Sequence, residues 1–262
     1  MDTILDKIVK NKKIEIKTRK QAIPISHLQN ICAGLPKGRS LKDRLLSSST
    51  GIISEFKRKS PSKGMIHEDA DVEEVVKSYV KTGCSGISVL TDYKYFGGTI
   101  NDFKKVRAVV DVPVLRKDFI VDPYQLYVSK AIGADVILLI AATLTLDKAY
   151  ELGELAHELG MEVLLEVHTK EELEYISRFT DIVGVNNRNL KIFKTDVQNS
   201  LDLIQEIPID MVKISESGIK DVETVKKLQK VGFNGFLMGE TFMKENKPGE
   251  ALEKFINEIK RK

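Results

Sequence analysis

Residues 133–167, GADVILLIAATLTLDKAYELGELAHELGMEVLLEV, decide the fold. An almost wholly apolar run, Val136–Ile140, leads into an amphipathic stretch, Leu146–Leu159. Gly160 then interrupts, and a second apolar run, Val163–Val167, follows. Continuous apolar strands suit a parallel sheet covered by helices, and Gly just past a helical pattern is a C-terminal cap signal. The stretch is therefore read as one strand–helix–strand unit.

The same unit recurs on both sides. Strands are expected at Ile52–Phe56, Gly86–Leu90, Val114–Arg116, Val136–Ile140, Val163–Val167, Ile182–Val185, Met211–Ile214 and Gly235–Met238. Helical patterns lie between them, among them Asp71–Thr82, Lys170–Phe179 and Asp221–Val231, with Gly83, Gly133, Gly160 and Gly232 before the next strand. In Asp221–Val231, Val222, Val225 and Leu228 recur at helical spacing while Lys226, Lys227 and Lys230 take the polar face. Eight strands with eight following helices specify an α/β fold of the (β/α)8 barrel type. An open doubly wound sheet usually needs a Gly-rich first turn, and EFKRKSPSKG is not one. Residues 1–48 hold a helix from Thr3 to Arg19, a break at Pro24 and a short segment near Leu41–Leu46. They are read as an N-terminal helical extension packed on the barrel, so residues 1–262 form one domain.

Composition narrows the function. Of 262 residues, 42% are hydrophobic and 30% charged, and 41 basic against 38 acidic residues leave a net charge of only +3. The charges interleave along helices, which argues against a nucleic-acid surface. Cys32 and Cys84 form no CxxC pair, and the four histidines, His27, His67, His157 and His168, lack metal-ligand spacing. No metal site is expected. The N-terminus is too charged for a signal peptide, and the longest apolar run, Val136–Ala142, is too short to span a bilayer. A cytoplasmic protein without membrane or nucleic-acid partners is expected, a monomer, with an oligomer left open.

In such barrels chemistry gathers at the C-terminal ends of the strands. Those positions carry Glu55 and Lys57, Lys117, Glu166, the run Asn186, Asn187 and Arg188, then Glu216, Ser217 and Gly218, then Gly239 and Glu240. Glu55 and Lys57 are two apart and share a face, and Glu166 is in phase with Leu164. Half-buried charges are costly unless paired, so their convergence suggests function, although rim ion pairs would use the same residues. SESG and GFLMGE put Gly218 and Gly239 at consecutive strand ends, where backbone N–H groups commonly meet a phosphate. Turn glycines needing φ > 0 would look the same.

These residues sit in motifs that resemble the indole-3-glycerol-phosphate synthases of tryptophan biosynthesis. The pieces are IISEFKRKSPSKG, SVLTDYKYFGG, PVLRKDFIVDPYQ, GADVILLIAA, LLEVHTKEEL, VGVNNRNLKIF, SESGI and GFLMGE, spread over essentially the whole chain. The resemblance implies a lyase that closes an indole ring on a phosphorylated substrate, losing carbon dioxide and water, with no cofactor. It implies Lys117 as general acid, Glu166 as general base, Lys57 as a second catalytic lysine with Glu55 beside it, and substrate contacts at Asn186 and Glu216. Phosphate would fall to Ser60, Ser217, Gly218, Gly239 and Glu240, and the aromatic ring to Phe96 and Phe119. Glu240 departs from members with a small hydroxyl there, so only its backbone is expected to serve. Three rivals stay open: an isomerase of a phosphorylated aminosugar, a Schiff-base aldolase using Lys117 or Lys57, and a barrel that only binds a phosphorylated metabolite.

Overall fold

The computed structural model describes residues 3–189 and 194–261. Residues 190–193, the LKIF of VGVNNRNLKIF, lie outside it. The barrel strands are β1 (Ile52–Phe56), β2 (Gly86–Leu90), β3 (Val114–Lys117), β4 (Val136–Ile140), β5 (Glu162–Val167), β6 (Ile182–Asn186), β7 (Val212–Glu216) and β8 (Gly235–Met238). Each pairs in parallel with its neighbours, and β8 returns to β1 with Ile52 opposite Phe236, closing an eight-stranded barrel.

The helices are α1 (Ile4–Ala22), α2 (Ile25–Cys32), α3 (Leu41–Ser47), α4 (Val72–Lys81), α5 (Tyr93–Phe96), α6 (Ile100–Val109), α7 (Pro123–Ala131), α8 (Leu146–Glu158), α9 (Gln198–Leu203), α10 (Val222–Lys230), α11 (Glu240–Met243) and α12 (Pro248–Lys260). The glycines expected as caps act as caps. After α8, Gly160 N donates to His157 O and Met161 N to Ala156 O, with Gly160 at φ 69°, where a side chain would be strained.

Two expectations need correction. Residues 170–179 form no α-helix; a 3-10 turn, Glu171–Tyr175, stands there instead. Its Glu172 folds back to accept from His168 N, and Tyr175 Oη donates to Leu144 O, so local side-chain bonds hold the tighter turn. The outer layer is therefore not eight full helices. The second concerns strand ends, because β3 and β6 run on to Lys117 and Asn186 and β7 to Glu216. A backbone ladder continues regardless of side-chain polarity, as Asn186 opposite Glu216 shows. The helix α2 is not expected from the sequence; Pro24 is its N-cap, and it buries Leu28 and Cys32 one turn apart.

Period-two alternation splits the core. Ile52, Val89 and Val114 face the helices, while Ile53, Leu115, Leu138, Leu164, Ile214 and Leu237 fill the barrel. One step further toward the C-terminal ends, the inward positions become Glu55, Lys117, Glu166, Glu216 and Gly239. The packed interior thus forms the floor of the mouth.

The helix α1 lies over that mouth, with Ile8 joining the interior cluster and Ile4 and Leu5 packed against it. Lys12 clamps it there. Buried to 3% exposure, Lys12 pairs with Asp92 at 2.9 Å and Asp118 at 3.0 Å. Lys12→Met would leave the buried Asp92 without its cation and Asp118 with Arg116 alone. It is expected to destabilise the fold by about 3–5 kcal/mol, read from a denaturant midpoint at unchanged slope. A loss under about 1 kcal/mol would show that α1 is held by its apolar face alone.

Candidate active site

A cavity opens at the C-terminal face of the barrel. Glu55, Lys57, Lys117, Glu166, Asn186 and Glu216 line it, with Ser217, Gly218, Gly239 and Glu240 at one side and Phe96 and Phe119 at another. All but two of the residues singled out in the sequence meet there. Asn187 turns away to bond Ser215 and Ser200. Ser60, in the short hairpin Lys59–Ser60 with Gly64–Met65, is buried and off the cavity wall. Its Oγ has no hydrogen-bond partner among the described residues.

The charges are arranged in two groups. Lys117 Nζ donates to Glu166 Oε2 at 2.9 Å and to Glu216 Oε2 at 2.5 Å. Lys57 Nζ pairs with Glu55 Oε1 at 2.8 Å, a contact that the shared face of residues 55 and 57 makes available. Asn186 Nδ2 donates to Glu166 Oε1 at 3.0 Å and its Oδ1 accepts from Arg188 N, so the amide is oriented from both ends. Asp118, next to Lys117, turns the other way. It accepts from Thr91, Arg116 and its neighbour Phe119 N, and this buried cluster fixes the backbone from which Lys117 projects.

Burial alone would lower the Lys117 pKa, but the Glu166, Glu216 and Glu55 carboxylates outweigh it and raise the net value. Lys117 therefore stays an ammonium, a proton donor. A nucleophilic amine needs the opposite shift, which weighs against Schiff-base chemistry at this lysine. The two carboxylates gripping it differ. Burial pushes Glu166 up, but Lys117, His168 and the Asn186 hydrogen bond win and hold it low. Glu216 is pushed up to about 7 by burial and by Glu166, against the pull of Lys117. Its Oε1 is buried with no hydrogen-bond partner among the described residues, which is the physical reason it keeps a proton more readily.

A consequence for stability follows in sign. A carboxyl raised in the folded state supports the fold below its unfolded value and loses that support as pH rises through the folded one. Glu216→Gln removes this loss. Its Tm is expected to gain on the parent's between pH about 4.5 and about 7 and to stay ahead above, checked by melting across that range. A gain that instead grew toward acid would contradict the assignment.

The walls complete the site. Phe96 and Phe119 have ring centroids 6.0 Å apart, and Ile4, Leu5 and Ile8 of α1 continue the apolar wall. The part played by α1 was not legible in the sequence, which showed only a helix in an extension packed on the barrel. Arg188 also lines the cavity, its Nη1 donating to Ser62 Oγ at 2.9 Å and its Nη2 lying 3.8 Å from Glu240. The sequence placed it at a strand end without a ligand role. Glu240 Oε1 is 3.7 Å from Lys63, so its carboxylate faces loop cations. Ser217, at φ 68°, and Gly218, at φ 77°, make two successive left-handed residues.

A closed parallel barrel with an apolar slot, two lysine–carboxylate groups and a glycine-edged rim defines a barrel enzyme built for acid–base work. The family model for indole-3-glycerol phosphate synthase matches residues 5–255. A relative from Bacteroides thetaiotaomicron bearing that name is 54% identical over 259 residues, 99% of this chain and all of its own. Another of that name, from Polynucleobacter asymbioticus, is 42% identical over 98% of this chain and all of its own. The chain belongs to the indole-3-glycerol phosphate synthase family, lyases of tryptophan biosynthesis. Solved structures agree on the fold alone. A tryptophan synthase complex from Pyrococcus furiosus aligns at TM-score 0.58 and 18% identity over 80% of this chain and 97% of its own. KGPDC from Streptococcus mutans aligns at 0.61 and 14% over 80% and 97%.

Proposed function

We propose that the cavity binds 1-(2-carboxyphenylamino)-1-deoxyribulose 5-phosphate and converts it to indole-3-glycerol phosphate, carbon dioxide and water without a cofactor. The observation that carries this is the Lys117 ammonium, buried at the mouth between Glu166 and Glu216. Ring closure sends an aromatic carbon onto a ketone and leaves negative charge on its oxygen. Lys117 stabilises that charge and donates the proton. Loss of the carboxylate restores the benzene ring. Departure of the hydroxyl as water then needs an acid, supplied by Lys57 with Glu55 holding it, and a base, supplied by Glu166 with Asn186 orienting it. Glu216 holds Lys117 from the other side. Phe96 and Phe119 form the apolar wall against the aromatic ring. Incubation with the synthetic substrate tests the reading, and indole fluorescence is the expected result; its absence overturns it.

The phosphate goes to the Ser217–Gly218 and Gly239–Glu240 edges, with Ser60 reached only if the hairpin turns, and Glu240 offers backbone alone. Inorganic phosphate is expected to compete with substrate at tens of millimolar. A Cβ at Gly218 would come within 2.5 Å of Thr195 Cγ2, and one at Gly239 within 2.7 Å of Glu55 Oε1. Gly218→Val is therefore expected to raise KM by about tenfold or more with kcat less affected, a loss of roughly 1.4 kcal/mol or more in binding. Gly239→Val, which displaces Glu55, should depress kcat as well. Unchanged KM in both folded variants would remove phosphate from these edges.

We also infer a single cooperative domain over residues 1–262, working as a cytosolic monomer on a small phosphorylated molecule, with no nucleic-acid partner. Among the described residues no helix is long and apolar enough to cross a membrane. One unfolding transition and a monomeric mass in solution are expected.

A further inference from the structure

The inward stripe of α1 is interrupted by one charge. Ile4, Leu5 and Ile8 carry the apolar wall of the cavity, and Ile16 packs with Leu28 and Tyr124 further along. Lys12 stands between them, four residues from Ile8 and four from Ile16, where helical spacing would place another apolar side chain. It is buried, and its Nζ meets three carboxylates. These are Asp92 Oδ2 at 2.9 Å, Asp118 Oδ1 at 3.0 Å and, on its own helix, Glu15 Oε2 at 2.9 Å. Burial would lower the Lys12 pKa, but Asp118 and Asp92 outweigh it, so the side chain stays an ammonium. A buried cation in an apolar stripe carries a desolvation cost that an apolar residue would not. The chemistry of Lys117 and Glu166 makes no use of it.

The two buried carboxylates it meets belong to the pieces of chain that supply the rest of that wall. Asp92 caps α5 by accepting from Tyr95 N at 2.8 Å, and the same short helix carries Phe96. Asp118 accepts from Phe119 N at 2.8 Å through the same Oδ1 that faces Lys12. Ile4, Leu5 and Ile8 join one apolar cluster with Phe96 and Phe119. One ammonium therefore gathers three separate segments, residues 4–12, 92–96 and 118–119, into a single surface. The far end of α1 has anchors of its own: Tyr124 Oη donates to Arg19 O and Ile23 O, and Lys20 pairs with Asp122. At the exposed edge of the joint, Lys94 Nζ donates to Asn11 Oδ1 at 3.1 Å, where water competes for the bond. The proposed phosphate edges follow β7 and β8, whereas Asp92 and Asp118 follow β2 and β3.

We propose that Lys12 is a positioning residue for recognition of the substrate's aromatic ring, its ammonium holding the first turns of α1, the capped α5 and Phe119 together as one wall. Asp118 keeps Thr91, Arg116 and Phe119 N when Lys12 is removed, so the backbone beneath Lys117 stays in place. Ring binding, rather than proton donation, is what the loss of Lys12 weakens. The inference rests on the proposed ring-binding role of Phe96 and Phe119.

Lys12→Met is expected to raise KM about tenfold, the scale on which a lost apolar contact is felt in such a pocket, with kcat within about threefold of the parent. The inhibition constant for inorganic phosphate should stay within about twofold. Product binding, read from indole fluorescence in a chain without tryptophan, should weaken by the same factor as KM rises. A second variant separates positioning from stability. Adding Asp92→Asn removes the carboxylate left unpaired, while the amide oxygen still caps Tyr95 N. The double variant should therefore regain much of the lost Tm and keep the raised KM. If Lys12→Met fails to fold, the double variant is measured in its place, and Asp92→Asn alone should raise KM about threefold. Unchanged KM in the folded variants overturns the proposal. So does recovery of KM together with Tm, which makes Lys12 a charge balance only. An equal rise in KM and in the phosphate constant also overturns it, as general damage to the mouth. If the parent forms no indole yet binds the product, the reaction falls and the product Kd decides the role of Lys12. If it does neither, the ring site falls and this role with it.

Discussion

Lys117→Met is expected to lower kcat by about 10²–10⁴-fold, the usual contribution of a positioned acid, with little change in KM. Methionine keeps much of the length and apolar stem of lysine but can neither donate a proton nor meet the charge on the ketone oxygen. The structure adds a second effect. The ammonium separates two buried carboxylates, at 2.9 Å and 2.5 Å, and its removal leaves them facing one another. Like charges so close do not both ionise, and Glu216, already raised, takes the proton. The variant should therefore fold at neutral and mildly acidic pH and lose stability faster than the parent as pH rises, because a raised carboxyl supports the fold only while protonated. A variant with more than half the parent kcat would remove Lys117 as the acid. A Tm that held steady toward alkaline pH would show that solvent reaches the pair.

Glu166→Gln is expected to slow turnover by about 10²-fold or more without a matching loss of binding. Glutamine retains the shape and one acceptor for Asn186 Nδ2, but it takes no proton at neutral pH. A fall in kcat at steady KM marks a chemical step rather than uniform binding. Because ring closure precedes the step that needs the base, single-turnover samples should accumulate a ring-closed, still hydroxylated intermediate. Fast single-turnover chemistry with slow steady-state turnover would point to product release instead. A rise in KM with kcat held would make Glu166 a positioning group, and the base would then be sought at Glu55 or Glu216.

The period of two along the strands made most of the barrel and its mouth legible. Leu164 and Glu166, or Leu115 and Lys117, are successive inward positions, so an apolar floor and a polar rim can be read from spacing alone. Capping glycines before β4, β5 and β8 gave the turns. Periodicity misleads where local bonding competes with it. Lys170–Phe179 has a helical pattern, yet Glu172 and Tyr175 make bonds that favour a 3-10 turn. Polar residues likewise mark no boundary for β3, β6 and β7, whose ladders run on through Lys117, Asn186 and Glu216.

The sequence by itself determined the barrel, its family and the identity of the residues at the strand ends, because backbone periodicity and motif order are properties of the chain. Only the tertiary structure decided who pairs with whom. Lys117 and Glu216 are 99 residues apart, and closure of the sheet sets their 2.5 Å contact. The same closure seats α1 over the mouth, through Lys12 against Asp92 and Asp118, and leaves Ser60 off the cavity wall. It also pushes the Glu216 carboxyl up, by burial, while Lys117 and His168 hold Glu166 low. The cause is physical: pairing and desolvation depend on distances across the barrel, and those distances exist only once the last strand meets the first.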